Sequence, residues 1–248
     1  MSKTIVITRP RGDEADLAEA LQEMGARVIC EPLMDIILQH DRRQALEHAL
    51  KREPDAVILT SRHGARALAA LTELRDPMLL CVGEATALVA QSLGFSRIAV
   101  CGGTSDKLAS YIAAAYDDGT HFLYASGEEV RVDIGMALAE HTMKVERIAL
   151  YEAVAVSQLS DILTAHLNRR QIDAITFLSP RTARIFSALL AKAGLGKETA
   201  QLEAFALSHT VAEALAGAPW RRVHVADKAT LASLIRSVDN MLHERDAP

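Results

Sequence analysis

Aromatic side chains are scarce in this chain, at 4% of 248 residues with a single Trp, yet half of all residues are hydrophobic. Core material is therefore ample for two packed domains and mostly aliphatic. Cysteine is nearly absent too: Cys30, Cys81 and Cys101 are odd in number, widely spaced, and each lies in or at the end of an apolar run. No CxxC or zinc spacing occurs, so reduced, buried thiols of a cytoplasmic protein are expected. No apolar run reaches the length of a signal peptide core or a bilayer crossing. Basic charge is in deficit, with 27 Lys and Arg against 32 Asp and Glu for a net −5, which argues against a nucleic-acid partner held by bulk electrostatics.

Familiar catalytic signatures are missing as well. There is no GxGxxG after the first strand and no GxxxxGK[ST], so the common nucleotide sites lack support. No HExxH or close His pair points to a metal, and His63 and His209 sit at turns where solvation explains them as well as function does. No GxSxG elbow appears. A receiver domain would want Asp at a central strand end, where this chain has Thr60-Ser61 and Leu178-Ser179.

What the chain does have is a repeat. DAVILTSRHGARAL at 55–68 recurs as DAITFLSPRTARIF at 173–186, with an acidic residue, an apolar run, a Ser, and then Ala and Arg at matched places. LLCVGEATALVAQSLGFSRIAV at 79–100 is answered by AFALSHTVAEALAGAPWRRVHV at 204–225, and KLASYI at 107–112 by TLASLI at 230–235. KTIVITRP with ALQEMGARVICEPL is matched more loosely by HFLYASGE with ALAEHTMKVERIALY. A period of this size is a duplicated domain, not a solenoid unit.

Strand and helix patterns alternate at short spacing throughout. Residues 4–8 read as a strand, 13–24 as a helix closed by Gly25, 27–30 and 34–38 as extended runs, 56–60 as a strand and 62–74 as a helix. The order continues to a last helix at about 230–242. The near-continuous apolar runs at 56–59 and 172–177 suit strands covered on both faces. Parallel sheets with helices on both sides follow, and in such sheets ligands bind at the carboxyl ends of the strands.

Those ends read TRPRG, TSRHG, VGEAT, ASGEE, LSPRT and LSHT, nearly all a hydroxyl or Gly followed by a helix. A helix N-terminus offers free N–H groups and partial positive charge, so such junctions suit carboxylates or phosphates without any basic surface. Ser and Thr before a helix also serve as plain N-caps, and that reading stands beside the ligand one.

The order VITRP, DAVILTSRHGA, CVGEATA, LYASGEEVR, ALYEAV, DAITFLSP and ALSHTVAEAL with PWRRVHVA resembles the uroporphyrinogen-III synthase family of tetrapyrrole (porphyrin, heme) biosynthesis over almost the whole chain. The resemblance implies two similar parallel-sheet, flavodoxin-like α/β domains joined by a two-stranded connector. One domain would comprise residues 1–33 with 153–248 and the other 39–148, with 34–38 and 149–152 as connector; the repeat alone would place a cut near Gly119. The implied reaction is a hydro-lyase cyclisation of linear hydroxymethylbilane to uroporphyrinogen III, with inversion of ring D through a spiro intermediate. No cofactor or metal is implied. Carried over residue by residue, Tyr151 would donate a proton to the leaving hydroxyl. Arg9, Ser61, Thr86, Ser126, Gly127, Arg131, Ser179, Ser208 and Thr210 would hold substrate carboxylates. A cytoplasmic monomer is implied, with possible hand-over from the preceding pathway enzyme and no nucleic-acid or membrane partner. Departures from the family pattern are Ser208 for a common Gly, Val211 for a second Thr, Thr142 for a helix-ending Gly, and the Arg62-His63 pair. The competing class is a two-lobed small-anion binding protein without turnover; a transferase of an anionic sugar donor is disfavoured for want of a carboxylate pair to hold a metal-diphosphate.

Overall fold

The computed structural model describes residues 2–130 and 132–243. In chain order the elements are β1 (Thr4–Ile7), α1 (Ala15–Glu23), β2 (Arg27–Cys30), β3 (Met34–Leu38), α2 (Arg43–Leu50) and β4 (Ala56–Leu59). Then follow α3 (Arg62–Leu71), β5 (Leu79–Cys81), α4 (Glu84–Ser92), β6 (Ile98–Val100), α5 (Ser105–Ala115), β7 (His121–Gly127) and α6 (Ile134–Ala137). The chain continues through β8 (Lys144–Ala155), α7 (Asp161–Asn168), β9 (Ala174–Phe177), α8 (Pro180–Lys192), β10 (Glu203–Ala206), α9 (His209–Glu213), β11 (Arg222–Val225) and α10 (Leu231–His243).

The chain divides into two compact units, Met1–Asp35 with Val154–Pro248, and Ile36–Ala153. The first holds a sheet of order β11-β10-β9-β1-β2, in which every described pairing is parallel. The second is built on a six-stranded sheet of order β3-β8-β7-β4-β5-β6, parallel from β8 to β6. β3 and β8 are the two strands along which the chain passes from one unit into the other.

Each sheet is covered on both faces, and alternation along the strands assigns the sides. In β4, Val57 and Leu59 enter one apolar cluster while Ala56 and Ile58 enter the other. In β9 and β1 of the first unit, Ile175, Phe177 and Val6 face one side and Ala174, Ile5 and Ile7 the other. All of these side chains are fully buried, each Val, Leu, Ile or Phe contributing about 1.5–3 kcal/mol relative to exposure.

The repeated Asp has a structural task in both copies. Asp55 Oδ2 accepts from the first N–H of β7, His121, at 2.9 Å, and Asp173 Oδ2 accepts from the first N–H of β1, Thr4, at 2.7 Å. The Asp ahead of each central strand thereby pins the neighbouring strand's start. The repeated Ser closes the other end: Ser61 Oγ accepts from Gly64 N at 3.0 Å and Ser179 Oγ from Thr182 N at 3.1 Å. These bonds start α3 and α8.

The sequence pattern extends α3 to residue 74, whereas the helix stops at Leu71 with Thr72 extended. α6 is only four residues long and leads into a single 3₁₀ turn, after which Thr142 adopts φ 50°. That is the place Gly25 occupies after α1, with φ 84°.

Left-handed backbone costs a residue with a Cβ about 1–2 kcal/mol. Thr142→Gly is therefore expected to raise the urea unfolding free energy by about 1 kcal/mol, less the entropy glycine adds to the unfolded chain; an unchanged midpoint would show that the turn carries no strain. The thiols give a second expectation. Burial pushes Cys81 up to about 12, with Cys101 adding to the shift, and burial pushes Cys101 up to about 11, from an ordinary 9.0. The unfolded chain releases these protons first, so the stability they lend is complete below pH 9 and lost as pH climbs from 9 towards 12. Urea midpoints should fall across that range, and fall less steeply in Cys81→Ala.

Candidate functional site

In the second unit the carboxyl ends of the strands open on a cavity of about 430 Å³. Thr60 and Ser61 after β4, Gly103 and Thr104 after β6, Tyr124 and Gly127 on β7, and Tyr151 on β8 line it. Two helices start at its wall. Ser61 caps α3, and Thr104 Oγ1 caps α5 by accepting from Lys107 N at 3.3 Å. Each cap takes one of the first-turn N–H groups that a helix leaves without an internal partner, and the axial dipole adds partial positive charge at the same place.

Two phenols meet two adjacent hydroxyls here. Tyr151 Oη lies 2.7 Å from Ser61 Oγ, and Tyr124 Oη lies 2.9 Å from Thr60 Oγ1. Burial raises the Tyr124 pKa, against the Thr60 hydrogen bond and the Arg147 charge, which lower it, so this phenol keeps its proton at neutral pH. The His63 ring stands tilted to Tyr151, with centroids 5.8 Å apart.

The matched serines keep different company, and all four tyrosines of the chain lie in the second unit. Three residues after Ser179 stands Thr182, whose Oγ1 lies 2.6 Å from Ser179 Oγ. Three residues after Ser61 stands Gly64, which supplies an N–H and no hydroxyl. The Ser61 hydroxyl instead meets the Tyr151 phenol.

Tyr151 is aimed by an irregularity. The β7–β8 register runs Ser126↔Ala149 and then Gly127↔Tyr151, so Leu150 is the extra residue of a β-bulge. Strict alternation would turn Tyr151 away from Ile148 and Leu150; with the bulge all three pack against the same apolar cluster. The ring lies directly over Gly127, where an added Cβ would come within 2.8 Å of Tyr151 Cζ.

Of the residues expected at the site, Ser61, Gly127 and Tyr151 are brought together. Ser126 lies beside them on the chain but is 1% exposed, its Oγ donating to Gly127 O and accepting from Arg147 Nε, both at 2.9 Å. Thr86 is buried in the first turn of α4 and is not among the cavity's lining residues. Arg131 lies outside the described residues. In the first unit Arg9 is 8% exposed and its Nη1 sits 2.6 Å from an Asp16 oxygen. Ser179 caps α8, Ser208 precedes α9 without a side-chain cap bond, and Thr210 is exposed in that short helix. Tyr124 and Arg147 escaped the sequence reading. The only available signal for Tyr124 was its place on an apolar strand two residues before Ser126, and Arg147 carried none.

The model of the family described as uroporphyrinogen-III synthase HemD matches residues 15–236. The chain belongs to this family. A curated relative, the porphyrin biosynthesis protein HemD of Ruminiclostridium josui, is 26% identical over 253 residues, covering 93% of this chain and 47% of the relative. The chain thus spans about half the length of that relative. Among solved structures, uroporphyrinogen-III synthetase from Helicobacter pylori superposes with a TM-score of 0.63 at 17% identity, covering 97% of this chain and all of the other. A mutant uroporphyrinogen III synthase from Thermus thermophilus gives 0.58 at 17% identity, covering 98% and 100%. At that identity the likeness establishes the α/β fold of the synthase family.

Ser61→Ala removes a cap and a phenol partner at once. The variant is expected to lose about 1 kcal/mol of unfolding free energy, a typical cap loss. Ser179→Ala should lose a similar amount with the Ser61–Tyr151 hydrogen bond left in place; equal effects of the two variants on turnover would count against a special place for Ser61.

Proposed function

We propose that this chain cyclises hydroxymethylbilane to uroporphyrinogen III, acting as a cytoplasmic monomer that receives its substrate from the enzyme forming the linear tetrapyrrole. The observation that carries this reading is the Tyr151 phenol, held 2.7 Å from the capping Ser61 in a cavity where two helices begin. The substrate bears acetate and propionate groups, which suit uncommitted helix N–H groups and capping hydroxyls. Ser61 and Gly127 are the proposed holders at this cavity. Arg9, Thr86, Ser126, Arg131, Ser179, Ser208 and Thr210 are retained as the wider set implied by the family pattern, with Ser126 and Arg9 already committed to internal partners. Residues 34–38 and 149–152 are proposed as the connector, on β3 and β8.

In the proposed reaction the Tyr151 O–H protonates the terminal hydroxyl, and the C–O bond breaks to release water and an azafulvene cation. Ring D attacks that cation at its substituted position to give the spiro intermediate. Fragmentation and reclosure at the free position invert the ring, and the ring proton then lost balances the one Tyr151 gave. The protein's share is to hold the chain in a closing geometry and to supply one proton.

The test is incubation of the purified chain with freshly generated hydroxymethylbilane, followed by oxidation and separation of type I and type III porphyrin isomers. Type III above the enzyme-free control is expected, and Tyr151→Phe should lower kcat by about 10²-fold, at the low end for general acid catalysis. Type I alone, at the spontaneous rate and with folded protein, would overturn the assignment.

A further inference from the structure

Arg147 lies on β8 four residues before Tyr151 and is solvent-exposed, yet its guanidinium is committed to the end of β7. Nε donates to Ser126 Oγ at 2.9 Å, and Nη2 donates to Gly127 O at 2.8 Å and also to Glu128 O. From the other direction Glu128 N donates to Tyr151 O at 2.8 Å. The segment Ser126-Gly127-Glu128 is therefore gripped by two points of β8, one on each side of the bulged residue Leu150. That segment is also the shelf under the Tyr151 ring, since no Cβ fits at Gly127.

We propose that Arg147 is a positioning residue for Tyr151: by clamping the β7 terminus it locks the bulge that aims the phenol at Ser61. The inference rests on the reading of Tyr151 as the proton donor. A strand end is ordinarily free to fray, and a bulge leaves one residue out of the ladder, so the register beyond Leu150 gains from a fastening besides the Glu128 N to Tyr151 O backbone bond. A guanidinium suits the task because its planar fork reaches several acceptors in fixed geometry. The same contacts account for Ser126. Its hydroxyl accepts from Arg147 and donates to Gly127 O, which makes it part of the clamp. If the clamp opens, Gly127 shifts, the ring follows, and the phenol leaves its position while the helix N-termini that hold carboxylates stay where they are.

The experiment compares steady-state kinetics and isomer ratios of the full chain carrying Arg147→Ala, Arg147→Lys, Gly127→Ala, Tyr151→Phe and the double variant Arg147→Ala/Tyr151→Phe, each checked for folding by circular dichroism. A displacement near 1 Å can cost up to about 10²-fold in rate, so Arg147→Ala and Gly127→Ala should lower kcat roughly ten- to a hundredfold. In Arg147→Ala KM should stay within about threefold, because the helix N-termini that hold carboxylates are not touched by the clamp; Gly127→Ala, at a proposed holder, is read on kcat and isomer ratio. The type III share should fall with kcat, and Lys should restore part of the loss. The double variant should be no slower than Tyr151→Phe alone, because both changes disable one unit. Wild-type kcat in folded Arg147→Ala and Gly127→Ala beside an impaired Tyr151→Phe would overturn the proposal, as would losses that multiply in the double variant. Should Arg147→Ala fail to fold, Gly127→Ala and its combination with Tyr151→Phe decide the question by the same criteria. Wild-type turnover in Tyr151→Phe itself is the separate failure, that of the phenol as proton donor.

Discussion

The central strand of each sheet is held at both ends by a short side chain, and the rest of each unit depends on that bracket. Ahead of β4 and β9 an Asp carboxylate accepts the first N–H of the neighbouring strand; after them a Ser hydroxyl accepts an N–H of the first helical turn. Parallel strands are evenly paired and could slip, and a carboxylate at one end is a charge-assisted stop. With the register stopped, the strands end at a common level. In the second unit the helices after β4 and β6 then begin at the wall of one cavity, where their first-turn N–H groups collect.

On that shared scaffold the two copies of the repeat differ, among other places, at the third residue after the capping Ser. Thr182 uses its hydroxyl on Ser179, while Gly64 offers no hydroxyl and Ser61 meets a phenol. The two positions sit in the first turns of α8 and α3, so the capping serines are matched while their other partners differ. Glycine acts by absence a second time at 127, where the missing Cβ makes room for the ring. Both glycines are small because another group occupies the space: the Ala125 carbonyl lies 3.1 Å from where a Cβ of Gly64 would be, and Tyr151 lies closer still at Gly127.

The site this produces is rich in donors and modest in acid–base groups. Tyr124, kept protonated by burial, and the helix starts at Ser61 and Thr104 offer hydrogen bonds, and Tyr151 adds a second phenol. Such an arrangement fits a reaction whose reactive centres all reside in the substrate, with the protein selecting among closures. Asp106 and Glu129 also line the cavity, and no Lys or Arg is among its described lining residues.

The sequence by itself determined the duplication, the alternation of strands and helices and the strand-end hydroxyls, because apolar periodicity and cap chemistry are local and repeat with the chain; Tyr151 was singled out by the family resemblance alone. The Asp of the repeat was legible as a pattern but not as a task, since its partners, His121 and Thr4, lie 66 and 169 residues away. Only the tertiary structure decided which hydroxyls face the cavity. Ser126 and Thr86 have the right chemistry at the right junctions, yet one is turned onto Arg147 and the other into the base of α4. The aim of Tyr151 belongs to the same class. Period-two alternation puts it on the face opposite Leu150, and a single unpaired residue in the β7–β8 ladder reverses that. A bulge is a property of two strands in register, and no residue of either strand announces it alone.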